Sequence, residues 1–165
     1  MGITHKKHSF SSVIVIVLSL CSVLFFAACG NTEPAKALDL QALYDQLLQE
    51  TDTPEMFLLS PERVNKLYGI EASTCPQAFF ATCSEGLRID EIWLVEASTE
   101  DAAKEIETLA QGRVDQLMRE TENYLPDQFV IAKQAKILRN GKTVALFISP
   151  DAEKMAALFK AEPNQ

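Results

Sequence analysis

Cys75 and Cys83 flank Pro76-Gln77-Ala78-Phe79-Phe80-Ala81-Thr82, and two thiols at that spacing have three chemical uses. A disulfide closing so short a loop would stabilise the fold by roughly 2.5 kcal/mol through chain entropy. A redox or metal pair is the second use, but the spacing is not C-x-x-C and two cysteines alone complete no zinc site. Two free thiols are the third. Paired carboxylates are the other chemistry open to this chain, because sugar cleavage needs only two acids. With 23 Asp and Glu, no spacing singles out a pair. Imidazole chemistry is excluded beyond the first 28 residues: the two histidines are His5 and His8. That removes triads and dyads with a histidine base, and the commonest zinc and copper ligand. No two of the six glycines stand in a G-x-G frame and there is no Asp-x-Asp-x-Asp-Gly loop, so phosphate-loop and EF-hand signals are missing. The sequence thus nominates no catalytic residue, no metal ligand set and no cofactor.

Cys29 carries the strongest chemical signal. Lys6 and Lys7 with His5 and His8 form a positive start, and Val13–Phe26 is a nearly unbroken apolar run. Ala27-Ala28-Cys29 follows, and hydrophobicity collapses at Gly30-Asn31-Thr32. This is the three-part build of a secretory signal, and small residues just before a cysteine resemble a bacterial lipobox. A lipid-modifying enzyme must reach the thiol at the membrane surface, and a peptidase must fit small side chains beside the cut. Phe26 stands where a leucine-like residue is usual. We therefore expect a signal peptide over residues 1–28 and a diacylglyceryl anchor on Cys29. A tether over 29–37 and one domain over 38–162 follow. An uncleaved membrane helix is the alternative, since Phe10–Ala28 approaches the roughly 20 residues a span needs. Cys21 lies inside the apolar run as filler. Each buried acyl methylene contributes about 0.8 kcal/mol, so a chain with two or three acyl groups stays on the membrane. Gly30–Ala37 reaches at most about 28 Å, which keeps the domain near the bilayer.

Charge limits the partners. Residues 1–28 hold two lysines and no acid, and the remaining 13 basic and 23 acidic side chains leave −10. Nucleic acid needs a clustered basic surface, so it is excluded. Docking on anionic headgroups is disfavoured for the same reason.

The elements that must position any site follow from hydrophobic spacing. Leu40, Leu43, Tyr44, Leu47 and Leu48 recur at helical intervals, and Ser60-Pro61-Glu62 opens a second, short helix that Gly69 ends. Ile92-Trp93-Leu94-Val95 reads as a strand. Ser98-Thr99-Glu100-Asp101 caps a long helix through Ala103, Ile106, Ala110, Val114 and Leu117 to about Tyr124, closed by Pro126. Phe129–Leu138 and Thr143–Ser149 read as strands joined at Asn140-Gly141, which suits a two-residue turn. Ser149-Pro150-Asp151 starts a last helix. The expected fold is α+β: a small, mainly antiparallel sheet of three or more strands with helices on one face. A strand–helix–strand crossover should place its two strands side by side or one apart. Glu91 and Glu96 at the strand ends, Asp90-Glu91 and Glu100-Asp101 read as solvated acids. Trp93 reads as core, and Phe79-Phe80 as packed beneath a loop or, alternatively, as a knob for a partner.

Leu67-Tyr68-Gly69-Ile70, Glu91-Ile92-Trp93-Leu94, Tyr124-Leu125-Pro126-Asp127-Gln128, Asn140-Gly141 and Phe147-Ile148-Ser149-Pro150-Asp151-Ala152 occur in that order behind the lipobox. Together they resemble the bacterial lipoproteins grouped as domain of unknown function 4358, over nearly all of residues 38–160. The resemblance implies a membrane-anchored extracytoplasmic protein, largely of low-GC Gram-positive bacteria. It supplies no ligand or catalytic residue, and the Cys75–Cys83 segment is not one of its features. The expected role is a non-catalytic binding or accessory function in the cell envelope, toward an envelope protein or a small ligand. A histidine-free envelope hydrolase and a structural spacer are the alternatives.

Overall fold

The computed structural model describes residues 38–162. The expected signal peptide, the expected tether and Cys29 lie outside the described residues.

The elements are α1 (Leu40–Glu50), β1 (Met56–Leu58), α2 (Pro61–Tyr68), a 3-10 turn (Ala72–Thr74), β2 (Gln77–Cys83), β3 (Glu91–Glu96), α3 (Glu100–Thr121), α4 (Pro126–Lys133), β4 (Lys136–Asn140), β5 (Thr143–Ile148) and α5 (Ala152–Ala161). The strands form one antiparallel sheet in the order β1-β2-β3-β5-β4. The fold is α+β, as the sequence implies. β3 and β4 lie one strand apart, on either side of β5, within the choice the crossover allows.

Helices cover both faces of the sheet rather than the one face expected. Trp93 and Val95 join Phe80, Val144, Leu146 and Ile148 against α2, α3 and α4. Ile92 and Leu94 join Ala81, Ala145 and Phe147 against α1 and α5. The cause lies in β3 and β5: every residue of β5 and all but the last of β3 are buried. Strands apolar on both sides need two covering layers.

Local chemistry sets the helix ends. Asp39 accepts from Ala42 N–H at 3.0 Å, Ser60 caps α2 ahead of Pro61, and Thr99 accepts from Ala102 N–H at 3.1 Å. Gly69 ends α2 at φ 71°, where a side chain would be strained. The segment Phe129–Lys133, expected as strand, is helical. Pro126 at the first turn and Asp127 behind it start a helix, and that signal outweighs the β-branched pair Val130-Ile131. The strand begins only at Lys136. In the β4–β5 hairpin Asn140 pairs with Thr143, so the two turn residues are Gly141 (φ 55°) and Lys142, one position later than Asn140-Gly141.

Candidate functional site

The least expected chemistry is a buried ion pair. Glu91 opens β3 on the same side as Trp93 and is 2% exposed. From α3, Arg113 Nε donates to both of its oxygens at 3.0 and 3.2 Å, and Arg113 Nη2 donates to Oε1. The guanidinium also sits 5.5 Å from the centre of the Tyr68 ring, and Tyr68 lies 4.5 Å from Trp93 between ring centroids. The expectation that Glu91 and Asp90 are solvated is therefore corrected. Asp90 is also buried, held by Arg88 Nε and Nη2 at 3.0 Å each. Parity explains Glu91: the side chain two places before Trp93 must share its buried face. Arg113 had a signal too, because Ile106, Ala110, Arg113 and Leu117 fall on one helical stripe. The other acids behave differently. Glu96 is half-buried and accepts from Gln77 Nε2 at 3.0 Å, and Asp101 pairs with Lys104 at 2.9 Å on the exposed start of α3.

Burial drives the electrostatics of this cluster. It pushes the Glu91 carboxyl above its ordinary value, against the hydrogen bonds and charge of Arg113. Burial alone would lower the Arg113 guanidinium, yet its bonds to Glu91 carry it above its ordinary value, so it stays charged. Burial likewise raises the Tyr68 hydroxyl, with the Glu91 charge pushing the same way, and Tyr68 stays protonated. The Trp93 indole N–H favours the Glu91 carboxylate without a proper hydrogen bond, since Trp93 Nε1 has no partner among the described residues. A carboxylate this deeply buried, with both oxygens held by one guanidinium, presents no open face to a substrate. Its role is to fix where α3 crosses the start of β3.

The thiols do not meet. Cys75 and Cys83 are both free, and strand Gln77–Cys83 lies between them. Its six steps alone separate the two ends by about 20 Å, against a Cα separation of at most about 7 Å for a disulfide. The disulfide, redox and metal uses of this pair are thereby removed. Pairing with β3 makes this segment a strand, so Phe79 and Phe80 belong to the sheet rather than lying beneath a loop. Burial raises the Cys75 thiol, which makes it a poor nucleophile. Phe80 is core, 5.2 Å from Trp93, and Phe79 stacks 5.9 Å from Tyr44. Among the described residues no group of three or more His, Cys, Asp or Glu is placed to hold a metal ion.

Two recesses open at opposite ends of the sheet. One, of about 230 Å³, lies between the α2–β2 connection and the start of α3, and is lined by Ile70, Glu71, Cys75, Ala97, Glu105 and Leu109 among others. The other, also about 230 Å³, lies between the β2–β3 and α3–α4 connections, with Leu87, Arg88, Tyr124 and Pro126. Both fall below the roughly 300–1,000 Å³ of ordinary small-molecule sites. Around the second, apolar surface is unusually open: Leu87 is 70% and Tyr124 85% exposed.

The family model described as Domain of unknown function (DUF4358) matches residues 49–149, which contain all five strands. No curated protein and no solved structure matches the chain.

Proposed function

The chain belongs to the DUF4358 family, and on that premise we propose that it is a membrane-anchored extracytoplasmic lipoprotein with a non-catalytic binding or accessory role in the cell envelope. One contrast carries this reading. The two buried acids are each held by an arginine, whereas large apolar side chains at Leu58, Leu67, Leu87 and Tyr124 are left in solvent. Where such side chains adjoin, as Leu87 and Tyr124 do around one recess, they favour recognition over catalysis. The anchor itself rests on the Ala27-Ala28-Cys29 pattern, and among the described residues no helix is long and apolar enough to cross a membrane.

The reading also orients the domain. Leu38, where the tether would join, lies at the end of β3: Gln77 Nε2 donates both to Leu38 C=O and to Glu96. Leu87 and Tyr124 belong to the opposite end, where Ile89 N–H bonds Gln128 ahead of Glu91. An anchored domain would present that end away from the bilayer. The test is a Cys29→Ala variant fed labelled palmitate, paired with mild cross-linking of the wild type in its native membrane. We expect an unlabelled, slower-migrating precursor for the variant, and a near-stoichiometric envelope partner for the wild type. Normal processing and labelling of the variant would end the lipobox reading.

The hydrolase alternative has one observation in its favour: Glu71 and Glu105 line the same recess. Against it, both Glu71 oxygens are engaged, by Asn65 Nδ2 at 3.0 Å and Ser73 Oγ at 2.6 Å. Release of soluble fragments from cell-wall glycan, abolished by Glu105→Gln, would replace the accessory reading. A spacer without a ligand predicts a smooth acidic surface, which the open apolar side chains do not fit.

A further inference from the structure

The two edges of the sheet are finished differently. On β4, Lys136 pairs with Glu153 of α5 on one face and Arg139 with Glu107 of α3 on the other. Charges along an edge strand discourage further strand pairing. β1 has no such guard. Its residues are Met56, Phe57 and Leu58; Leu58 is 51% exposed, and Phe57 and Leu67 of α2 are also open.

The ladder fixes what this edge offers. Leu59 N–H bonds Phe80 C=O, and Ser84 N–H bonds Glu55 C=O. Residues 55, 57 and 59 therefore turn their main-chain groups toward β2, and Met56 and Leu58 turn theirs outward. Among the described residues no strand lies beyond β1. An incoming strand would meet Phe57 on the α2 side, and Met56 and Leu58 on the α1 side. The ends of β1 are acidic: Asp52, Glu55 and Glu85 are exposed at one and Glu62 at the other. The nearby cation Arg63 is drawn over the Phe57 ring, 5.9 Å from its centre.

Building on the accessory reading, we propose that the β1 edge docks an extended segment of a partner protein, apolar at alternate positions and flanked by Lys or Arg, as a sixth strand of the sheet. Main-chain bonds from Met56 and Leu58 supply the register, the apolar side chains fill the two sides, and the acids at either end select basic flanks. A second copy of this chain is the wrong occupant. It would bring Glu55 and Glu62 against the same acids, with −10 already on each copy beyond residue 28.

The test is residue-resolved hydrogen exchange on the full chain in detergent micelles, with and without the peptide Lys-Val-Thr-Val-Thr-Val-Lys. The amides of Met56 and Leu58 should slow, whereas Phe57, already bonded to β2, should change little. Replacing both lysines of the peptide by glutamate should weaken binding about ten-fold or more. Leu58→Lys should abolish protection at Met56 with an unchanged circular dichroism spectrum, and Leu58→Pro, which removes an outward N–H, should do the same. No protection at Met56 and Leu58 at millimolar peptide would overturn the proposal, as would protection centred on Leu87 and Tyr124. A sedimenting dimer with those two amides protected in the absence of peptide would also overturn it, in favour of self-pairing. An envelope partner cross-linked in the native membrane, with the β1 amides unchanged, would sink edge docking and leave the accessory reading standing.

Discussion

Glu91–Arg113 and Arg139–Glu107 are the same pair of functional groups in two different solvents. In both, an arginine Nε donates to a carboxylate at about the same distance, 3.0 and 2.9 Å. On the β4 edge both side chains stand partly in water, 31% and 42% exposed, so separating them costs little. Beneath β3 the carboxylate is 2% and the arginine 20% exposed, and neither can be abandoned by the other without leaving a charge in apolar surroundings. The lesson is that the pair's presence measures nothing by itself. What matters is the state left behind when one partner goes.

The largest expected effect follows from that statement. Arg113→Ala should lower the unfolding free energy by about 3–5 kcal/mol at neutral pH, read from urea denaturation. Replacing both partners, Glu91→Leu with Arg113→Met, should recover most of the loss, because no charge remains to be buried. A cost below about 1 kcal/mol for Arg113→Ala would mean that Glu91 is hydrated, and the distinction between the two regions would collapse.

Acid should shrink the penalty of the same variant. Burial holds the Glu91 carboxyl above its ordinary value, so the folded state binds a proton more readily than the unfolded chain. The associated stability is complete below the ordinary carboxylate range and is lost as pH rises through the folded-state value. Removing Arg113 takes away the group that opposes this rise, and widens the window upward. The penalty of Arg113→Ala at pH 4 should thus be less than half that at pH 7. A penalty flat across that range would show that Arg113 acts through packing on Tyr68 rather than through charge.

Arg88–Asp90 lies between the two extremes, with an arginine 38% exposed and an aspartate buried at 2%. Arg88→Ala should cost about 1.5–3 kcal/mol, the range for hydrogen bonds to a charged group. A value matching Arg113→Ala would mean that exposure of the arginine is irrelevant, and only burial of the acid counts.

The sequence announces some of these regions and hides others, for reasons that can be named. Helix ends are local: Ser60-Pro61, Gly69 and Thr99 act within one turn, and each does what its chemistry implies. β3 and β5 are legible because both are continuous apolar runs, although the same continuity, read fully, would have shown that two helical layers are needed. β2 is hidden because Gln-Ala-Phe-Phe-Ala-Thr-Cys holds one β-branched residue and small alanines, and because only its pairing with β3 defines it. β1 is three residues long and has no periodicity to read. The buried pair is non-local, since Glu91 and Arg113 are 22 residues apart. Two clues stood in the pattern, the parity of Glu91 with Trp93 and the place of Arg113 on an apolar stripe, but only the crossing of α3 over β3 brings them together. The open edge at β1 was not legible at all, because an edge exists only once the strand order is known.

Arg139→Ala should have the smallest effect, and its value lies in its salt dependence. Arg139 Nη1 also donates to Gly141 C=O at 3.2 Å, so the side chain links the β4–β5 turn to α3 as well as meeting Glu107. Solvent competes for both contacts, and the expected cost is below about 1 kcal/mol at low salt. Screening should shrink it further at 1 M salt, where the Debye length falls to about 3 Å. The Arg113→Ala penalty should hardly change over the same range, because mobile ions do not reach a carboxylate beneath the sheet. Parallel denaturation series at low and high salt therefore separate the two regions more sharply than either penalty alone. If both penalties fell together with salt, Glu91 would be in contact with solvent ions, and the pair beneath β3 would be one more surface bridge.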